Sequence, residues 1–179
     1  MKELVIGFAD ETCGVVVRDP HVIRKMAGKR RIVAFGGTFD FLHRGHMAFI
    51  RGVVQYSKSM YEGAFIMALV PDDSCVLSYK GDLPSVADED RAMALALMSG
   101  VDAALIHTDQ PPIDSIGDIG VHTLFKGVDY AGKDIPEIQA LKVLEDSDSG
   151  DKVEREILYL DHGKMYSCTS IRDSIKRTG

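Results

Sequence analysis

The chain has 179 residues, of which 45% are hydrophobic and 27% are charged, and its formal net charge at pH 7 is −6. These values are ordinary for a globular domain that is long enough to bury a hydrophobic core. The acidic balance argues against a nucleic-acid partner, because proteins that bind nucleic acids usually present a basic surface. It is compatible with a small anionic substrate, since a local group of lysines and arginines is enough to bind one.

The cysteines and the apolar runs indicate the cellular setting. Cys13, Cys75 and Cys168 are odd in number and far apart, so neither a disulfide framework nor a zinc site is predicted. The apolar run near the first residue is too short for a signal peptide, and no apolar stretch approaches the roughly 20 residues that cross a membrane. We therefore expect a cytoplasmic protein without a membrane partner.

Residues 1–30 are interpreted as an N-terminal extension of the domain that follows, which covers residues 31–179. Residues 4–8 and 14–17 are apolar and flank a polar segment, a pattern compatible with a hairpin. Residues 20–28 have the pattern of a short helix, with proline near its first turn and glycine past its end.

From residue 31 onward, apolar runs that are typical of buried strands alternate with helical patterns. The predicted strands cover residues 32–35, 64–70, 103–107, 123–126 and 157–160, and the predicted helices cover residues 45–59, 86–99, 113–118, 134–145 and 169–177. This alternation predicts an α/β fold, in which a parallel sheet carries helices on both faces.

Two of these helices carry more detailed local signals. The helix over 45–59 is predicted to bury one apolar face, formed by Met47, Ile50, Val53 and Val54. Gly52 costs this helix about 1 kcal/mol relative to alanine, unless it allows close packing. Residues 85–88 read Ser-Val-Ala-Asp, which fits the capping box that begins a helix.

Residues 36–46 read Gly-Gly-Thr-Phe-Asp-Phe-Leu-His-Arg-Gly-His and lie where the strand over 32–35 passes into the helix over 45–59. Free backbone N–H groups and the positive end of a helix dipole meet at such a junction, which suits phosphate. Glycines let the backbone approach a ligand closely, although most Gly-Gly pairs are simple turns. Thr38 is placed either to cap this turn or to donate to a phosphate oxygen.

His43 and His46 are the strongest chemical signal in this stretch. Gly45 lies between them, and we expect it to leave room for an anion between the two rings. Imidazole N–H groups there would stabilise the charge that builds on phosphoryl oxygens during an in-line displacement. A capping role is the plainer alternative for one histidine. A zinc site is not expected, because no third ligand stands at a plausible spacing.

The pattern Gly-Gly-Thr-Phe-Asp-x-x-His-x-Gly-His resembles the signature of the cytidylyltransferase-like nucleotidyltransferases. The resemblance implies a Rossmann-like fold and an enzyme that joins a nucleoside triphosphate to a phosphorylated small molecule and releases pyrophosphate. It implies that both histidines are catalytic. It also implies that the nucleotide and its phosphates contact Gly36, Gly37, Thr38, Phe39 and Gly45.

Two later stretches extend the resemblance. The Tyr-Lys-Gly-Asp run at residues 79–82 and the acidic run before Arg91 resemble the lysine loop and the arginine-bearing helix of the family. This implies that Lys80 and Arg91 bind phosphates. The alternatives are an ordinary exposed loop lysine and an ion pair on the helix surface.

Residues 125–130 resemble the Lys-Gly-x-Asp-Tyr stretch of bacterial heptose-phosphate adenylyltransferases. The resemblance implies that Lys126 is a catalytic cation at a strand end, where open α/β sheets bind ligands. It also implies nucleotide contacts at Gly127 and Asp129, for which a simple Gly-Asp turn is the alternative.

Residues 167–172 read Ser-Cys-Thr-Ser-Ile-Arg and resemble the Ser-Ser-Thr-x-Ile-Arg segment that opens the last helix of the family. The resemblance implies that Arg172 is catalytic and that the triphosphate is held by Ser167, Thr169 and Ser170. Cys168 replaces a serine in this register, and a thiol is a poorer donor than a hydroxyl. A plain helix cap is the alternative.

The resemblance favours adenylyl transfer from ATP to a sugar phosphate, with Mg²⁺ shielding the triphosphate. One alternative is a cytidylyltransferase that uses CTP and glycerol phosphate or a related alcohol phosphate. FMN adenylyltransferases of similar size share the first motif too. An alternative from another class is a non-catalytic nucleotide-binding sensor. The resemblance also leads us to expect a homodimer.

Overall fold

The computed structural model describes residues 14–147 and 154–161. Strands and helices alternate along these ranges. In chain order they are β1 (Val15–Val17), α1 (Pro20–Ala27), β2 (Ile32–Gly36), α2 (Arg44–Met60), β3 (Phe65–Pro71), α3 (Asp73–Lys80), α4 (Asp88–Ala96), β4 (Ala103–His107), α5 (Ile113–Ile119), β5 (Thr123–Gly127), a 3-10 turn (Val128–Tyr130), α6 (Pro136–Ser147) and β6 (Glu156–Leu160).

The strands of these ranges form one sheet in the order β1-β4-β3-β2-β5-β6, and every neighbouring pair is parallel. The chain runs from β2 outward through β3 and β4, and β5 then pairs with the opposite side of β2. A sheet of this order has its switch point between β2 and β5, and ligands of open α/β sheets bind at the carboxyl ends of the strands there. The predicted α/β fold is confirmed.

Each strand sends alternate side chains into two separate hydrophobic cores. On one face Val33 and Phe35 of β2 pack with α2 and α4. On the other face Ile32 and Ala34 pack with α1, α5 and α6. Because both faces of the sheet are covered in this way, the strands read in the sequence as continuous apolar runs rather than as alternating ones.

The N-terminal segment contributes one strand and one helix to this arrangement. β1 pairs with β4 in the register Val15↔Ala103. The predicted helix is confirmed as α1, which Asp19 caps at its first turn and which ends before Gly28. The first strand of the predicted hairpin, residues 4–8, lies outside the described residues. Within the described ranges, no helix is both long and apolar enough to cross a membrane.

The predicted strands and the helices α2, α4, α5 and α6 are found, but α3 was not predicted. Caps define this short helix more than an apolar stripe does. Asp72 accepts a hydrogen bond from the Cys75 N–H at 2.6 Å, and Gly81 ends the helix with φ of 79°. Only Cys75 and Val76 of α3 are buried. The predicted helix over 169–177 lies outside the described residues.

The predicted capping box at residues 85–88 is wrong. The cap position of α4 is Ala87, which makes no side-chain cap bond. The buried carboxylate of Asp40 instead accepts the backbone N–H groups of Ser85 and Val86, at 2.6 and 3.0 Å. These bonds hold the segment before α4 against the loop before α2, and the helix begins only at Asp88, too late in the chain for Ser85 to cap it.

The predicted buried face of α2 needs one correction. Ile50, Val53 and Val54 are buried, but Met47 is 46% exposed because it lies in the first turn, outside the core of α2 and α4. Gly52 does allow close packing: a Cβ there would lie 3.2 Å from the Leu160 side chain of β6.

Candidate active site

The junction between β2 and α2 is built around the ring of Phe39. Phe39 has a left-handed φ of 52° and is only 4% exposed. Such a backbone costs about 1–3 kcal/mol in a bulky residue and persists where its surroundings hold it in place. A Cβ at Gly37 would lie 3.1 Å from the Phe39 ring, so a larger residue there would require the ring to shift. At Gly36 a Cβ would make only ordinary contact with Leu69, so the fold does not require that glycine.

His43 caps the N-terminus of α2 with its side chain. Its Nδ1 accepts hydrogen bonds from the N–H groups of Gly45 and His46, at 3.2 and 3.4 Å. A ring nitrogen that accepts carries no proton, so the proton of the neutral ring is on Nε2. The cap therefore leaves Nε2–H as the hydrogen-bond donor of this ring.

The two imidazole rings stack on each other. The centroids of His43 and His46 are 3.9 Å apart and the ring planes differ by 17°. The expected anion seat between the rings is therefore wrong, because stacked rings in contact leave no space between them. Gly45, which was to keep that space open, is buried. An anion reaches these imidazoles only at their edges.

The ring of His46 also packs on Phe39. The two ring centroids are 5.2 Å apart in an edge-to-face arrangement, and Phe39 packs in the same way on Phe35 of β2. The ring of His46 thus contacts the rings of both Phe39 and His43. A side chain fixed in this way needs little reorganisation to act on a ligand.

Thr38 joins this junction to the end of α3. Its Oγ1 accepts a hydrogen bond from Lys80 Nζ at 2.7 Å and lies 2.8 Å from the Tyr79 hydroxyl oxygen. Lys80 is the last residue of α3 and not part of a loop. Burial raises the pKa of Tyr79, and its bond to Thr38 partly offsets this. Tyr79 had been noted only as the first residue of the Tyr-Lys-Gly-Asp run, because nothing in the local pattern places it beside Thr38.

Arg91 lies beneath the junction and is 1% exposed. Its guanidinium donates to the carbonyls of Thr38, Pro71 and Val86 at 2.7–2.9 Å, and to the Asp73 carboxylate at 2.8 Å. The alternative of a surface ion pair is wrong, because the guanidinium is buried. These bonds tie the end of β3 to the loops on both sides of the site. A phosphate contact for Arg91 stays a prediction.

Lys80 follows β3, on one flank of β2. A second cation, Lys126, lies at the end of β5, on the other flank of β2. Phe125 packs in the core on the α2 side, and its neighbour Lys126 donates to Glu137 of α6 at 2.6 Å. Lys126 Nζ also lies 5.0 Å from the ring centroid of Tyr130. The described contacts thus join Lys126 to α6 and not to the histidines of α2. Tyr130 is the last residue of the Lys-Gly-x-Asp-Tyr stretch and had been given no role, and Glu137 was not singled out from the sequence.

The other two residues predicted to contact the nucleotide near β5, Gly127 and Asp129, lie at the 3-10 turn. Gly127 precedes the 3-10 turn with φ of −64°, which any residue can adopt, and Asp129 is exposed on that turn. Lys80 contacts Thr38, and His46 contacts Phe39, the next residue in the chain, while Lys126 lies on the strand beside β2. The predicted triphosphate segment lies outside the described residues, so roles stay predictions for Ser167, Thr169, Ser170 and Arg172.

A further polar group lies at the carboxyl end of β4. His107 Nδ1 is 3.3 Å from Asp109 Oδ1, and Ser115 donates to Asp109 through both its hydroxyl and its backbone N–H. Burial alone would raise the pKa of Asp109, but the hydrogen bonds from His107 and Ser115 outweigh it and hold this pKa well below its usual range. This arrangement fixes the loop between β4 and α5.

The chain is similar to known proteins over most of its length. Residues 34–173 match the family model described as cytidylyltransferase-like. The protein named bifunctional protein HldE from Helicobacter pylori (strain G27) is 30% identical over 151 residues, which are 84% of this chain and 28% of that protein. The protein of the same name from Aliarcobacter butzleri (strain RM4018) is 34% identical over 119 residues, 63% of this chain and 24% of that one. The chain thus spans about a quarter of the length of these relatives.

Solved structures include one of the same fold. The crystal structure of the lipopolysaccharide core biosynthesis protein from Thermoplasma volcanium GSS1 matches with a TM-score of 0.52 and 18% sequence identity. The match covers 73% of this chain and 96% of that one. At this identity the likeness shows a shared fold alone.

Proposed function

Because the chain belongs to the cytidylyltransferase-like family, we propose that it is a nucleotidyltransferase that joins a nucleoside triphosphate to a sugar phosphate and releases pyrophosphate. The observation that carries the proposal is the stacked pair His43 and His46. The pair stands at the N-terminus of α2, where backbone N–H groups and the helix dipole favour phosphate. It also stands at the end of β2, beside the switch point of the sheet.

In the proposed reaction an oxygen of the acceptor phosphate attacks the α-phosphorus of the nucleotide. The bond from the α-phosphorus to the bridging oxygen breaks on the opposite side, and pyrophosphate leaves with its electron pair. No protein nucleophile is needed, because a phosphate monoester is largely ionised near neutral pH. The protein contributes positioning and donors for the developing charge, above all Nε2–H of His43 and the edge of His46.

Mg²⁺ is proposed to accompany the nucleotide. The described ranges 14–147 and 154–161 hold no group of three histidine, cysteine or acidic side chains that could bind a metal ion. Phosphate oxygens are suitable ligands for Mg²⁺, so we propose that the ion binds with the triphosphate. No step of the proposed mechanism depends on a metal held by the protein.

ATP and a sugar phosphate are the proposed substrates. The support is the Lys-Gly-x-Asp-Tyr stretch at the end of β5, together with the likeness to the HldE proteins. We propose to test this by measuring pyrophosphate release with ATP and CTP against a panel of sugar phosphates and glycerol phosphate. ATP with one sugar phosphate is expected to give the fastest release. Turnover with CTP and glycerol phosphate would point to the cytidylyltransferase alternative. Nucleotide binding without pyrophosphate release would point to a sensor.

A further inference from the structure

Lys126 and Glu137 form an ion pair that the mechanism above does not explain. The Nζ–Oε1 distance is 2.6 Å, and the two side chains are 14% and 7% exposed. Removing two charges from water is costly, and a buried pair is often no more stable than apolar residues of the same size. Stability alone therefore gives little reason for this pair at the carboxyl end of β5.

The surroundings of the pair hold the ammonium group in one place. Glu137 lies in the first turn of α6, where the helix dipole favours a carboxylate. The ring of Tyr130 lies against the same ammonium, and Lys133 Nζ is also 5.6 Å from that ring. A lysine ammonium has three N–H donors and a flexible stem, and one carboxylate oxygen accepts only one of those donors.

We propose that Glu137 is a positioning residue, which holds the Lys126 ammonium at the carboxyl end of β5 so that its other donors face an anionic ligand. The ligand class is the phosphate chain of a nucleoside triphosphate, and this inference rests on the proposed function. β5 pairs directly with β2, in the register Phe35↔Phe125. The backbone of Lys126 therefore lies beside the strand that leads into the histidine pair.

The test compares Glu137→Ala, Glu137→Gln and Lys126→Met for pyrophosphate release and for ATP affinity by calorimetry. Glu137→Ala is expected to lower kcat by about tenfold or more, because the freed ammonium loses its orientation. Glu137→Gln keeps an acceptor oxygen of the same reach and is expected to stay within about threefold of the wild type. Glu145→Gln makes the same chemical change at an exposed site of α6 and is expected to leave kcat unchanged.

The double variant separates positioning from a purely structural role. In the Lys126→Met background, Glu137→Ala is expected to have no further effect on kcat, because it acts through Lys126. A tenfold loss that persists in that background would overturn the proposal. So would a Glu137→Ala enzyme with wild-type kcat, or one that binds ATP more tightly because Glu137 had only neutralised the lysine.

The wild-type assay distinguishes this proposal from the proposed function. An active wild type with an unaffected Glu137→Ala variant rejects the positioning role and leaves the nucleotidyltransferase in place. A wild type that binds ATP but releases no pyrophosphate rejects the function, and the positioning role is then decided by affinity. In that case the positioning role predicts that Glu137→Ala weakens ATP binding several-fold and that Glu137→Gln does not. Any other result rejects the positioning role as well. A chain that binds no nucleotide overturns both.

Discussion

The rings of His43 and His46 lie face to face, 3.9 Å apart, at the first turn of α2. His43 is fixed by the backbone N–H groups that its Nδ1 accepts, and His46 is fixed by the ring of Phe39. The pair therefore presents edges, and not a gap, to the carboxyl end of the sheet. This relationship sets where a phosphate can be bound and which ring nitrogen can donate to it.

The two roles of His43 can be separated by substitution. Asparagine is a good N-cap, so His43→Asn is expected to change the free energy of unfolding by less than about 0.5 kcal/mol. It is expected to lower kcat by about tenfold or more, because the Nε2 donor is lost. His43→Ala loses the cap as well and is expected to cost about 1 kcal/mol of stability. Urea denaturation and pyrophosphate release measure the two effects. Full turnover in His43→Asn would exclude the Nε2 donor from the reaction.

Gly37→Ala tests the packing that holds His46. The new methyl group would lie 3.1 Å from the Phe39 ring and force it to move. We expect a loss of about 1–3 kcal/mol in the free energy of unfolding, as for other overpacked sites. Gly117→Ala in α5 is the matched control, since nothing lies within 4 Å of its Cβ position. Alanine favours a helix there, so a gain of up to about 1 kcal/mol is expected. Equal stabilities for the two variants would contradict the packing role of Gly37.

Arg91→Met tests the buried guanidinium beneath the site. The substitution leaves three carbonyls and the Asp73 carboxylate without this donor, and we expect a loss of about 3 kcal/mol in unfolding free energy. Arg18→Met is the control, because Arg18 is an exposed residue that pairs with Asp88 and Glu89 and should contribute about 1 kcal/mol or less. If chemical denaturation showed the same small loss of unfolding free energy for both variants, the hydrogen bonds of Arg91 would not be what holds β3 and the loops of the site together.

The lowered pKa of Asp109 predicts a stability that depends on pH. The group is ionised more readily in the folded than in the unfolded chain, where its pKa is near 3.8. Its contribution is therefore complete above that unfolded pKa and is lost as the pH falls toward the lower folded pKa. Asp109→Asn is expected to be less stable than the wild type at pH 6, with a difference that shrinks at pH 3.5. Urea denaturation at the two pH values measures this. A difference that grows at pH 3.5 would contradict the hydrogen-bonded carboxylate.

The sequence predicted what short-range patterns encode. Strands buried on both faces read as apolar runs, and the helices between them have amphipathic spacing, so the parallel sheet followed. The short helix α3 was missed, because Asp72 and Gly81 define it by capping and only two of its residues are buried. The stacking of the histidines was not predicted, because His43 lies at the cap position before the first helical residue, with an extended backbone of φ −135°, and helical spacing does not fix its ring.

Contacts between distant parts of the chain could not be predicted in this way. Asp40 accepts a hydrogen bond from the backbone N–H of Ser85, 45 residues later. The local capping pattern at Ser85 gives no indication of this bond. Arg91 was interpreted as a phosphate ligand or a surface residue, but its partners come from several segments of the fold. Glu137 meets Lys126 across 11 residues and a 3-10 turn, for which no spacing rule exists.

Pyrophosphate release by the wild type and by His46→Ala, with ATP and the best sugar phosphate, tests the central claim most directly. We predict measurable release by the wild type and a kcat at least about tenfold lower in His46→Ala, because one donor to the developing charge is missing. The circular dichroism spectrum of the variant should match that of the wild type. A folded His46→Ala protein with wild-type turnover would contradict the account, and so would a wild type that releases no pyrophosphate with any acceptor.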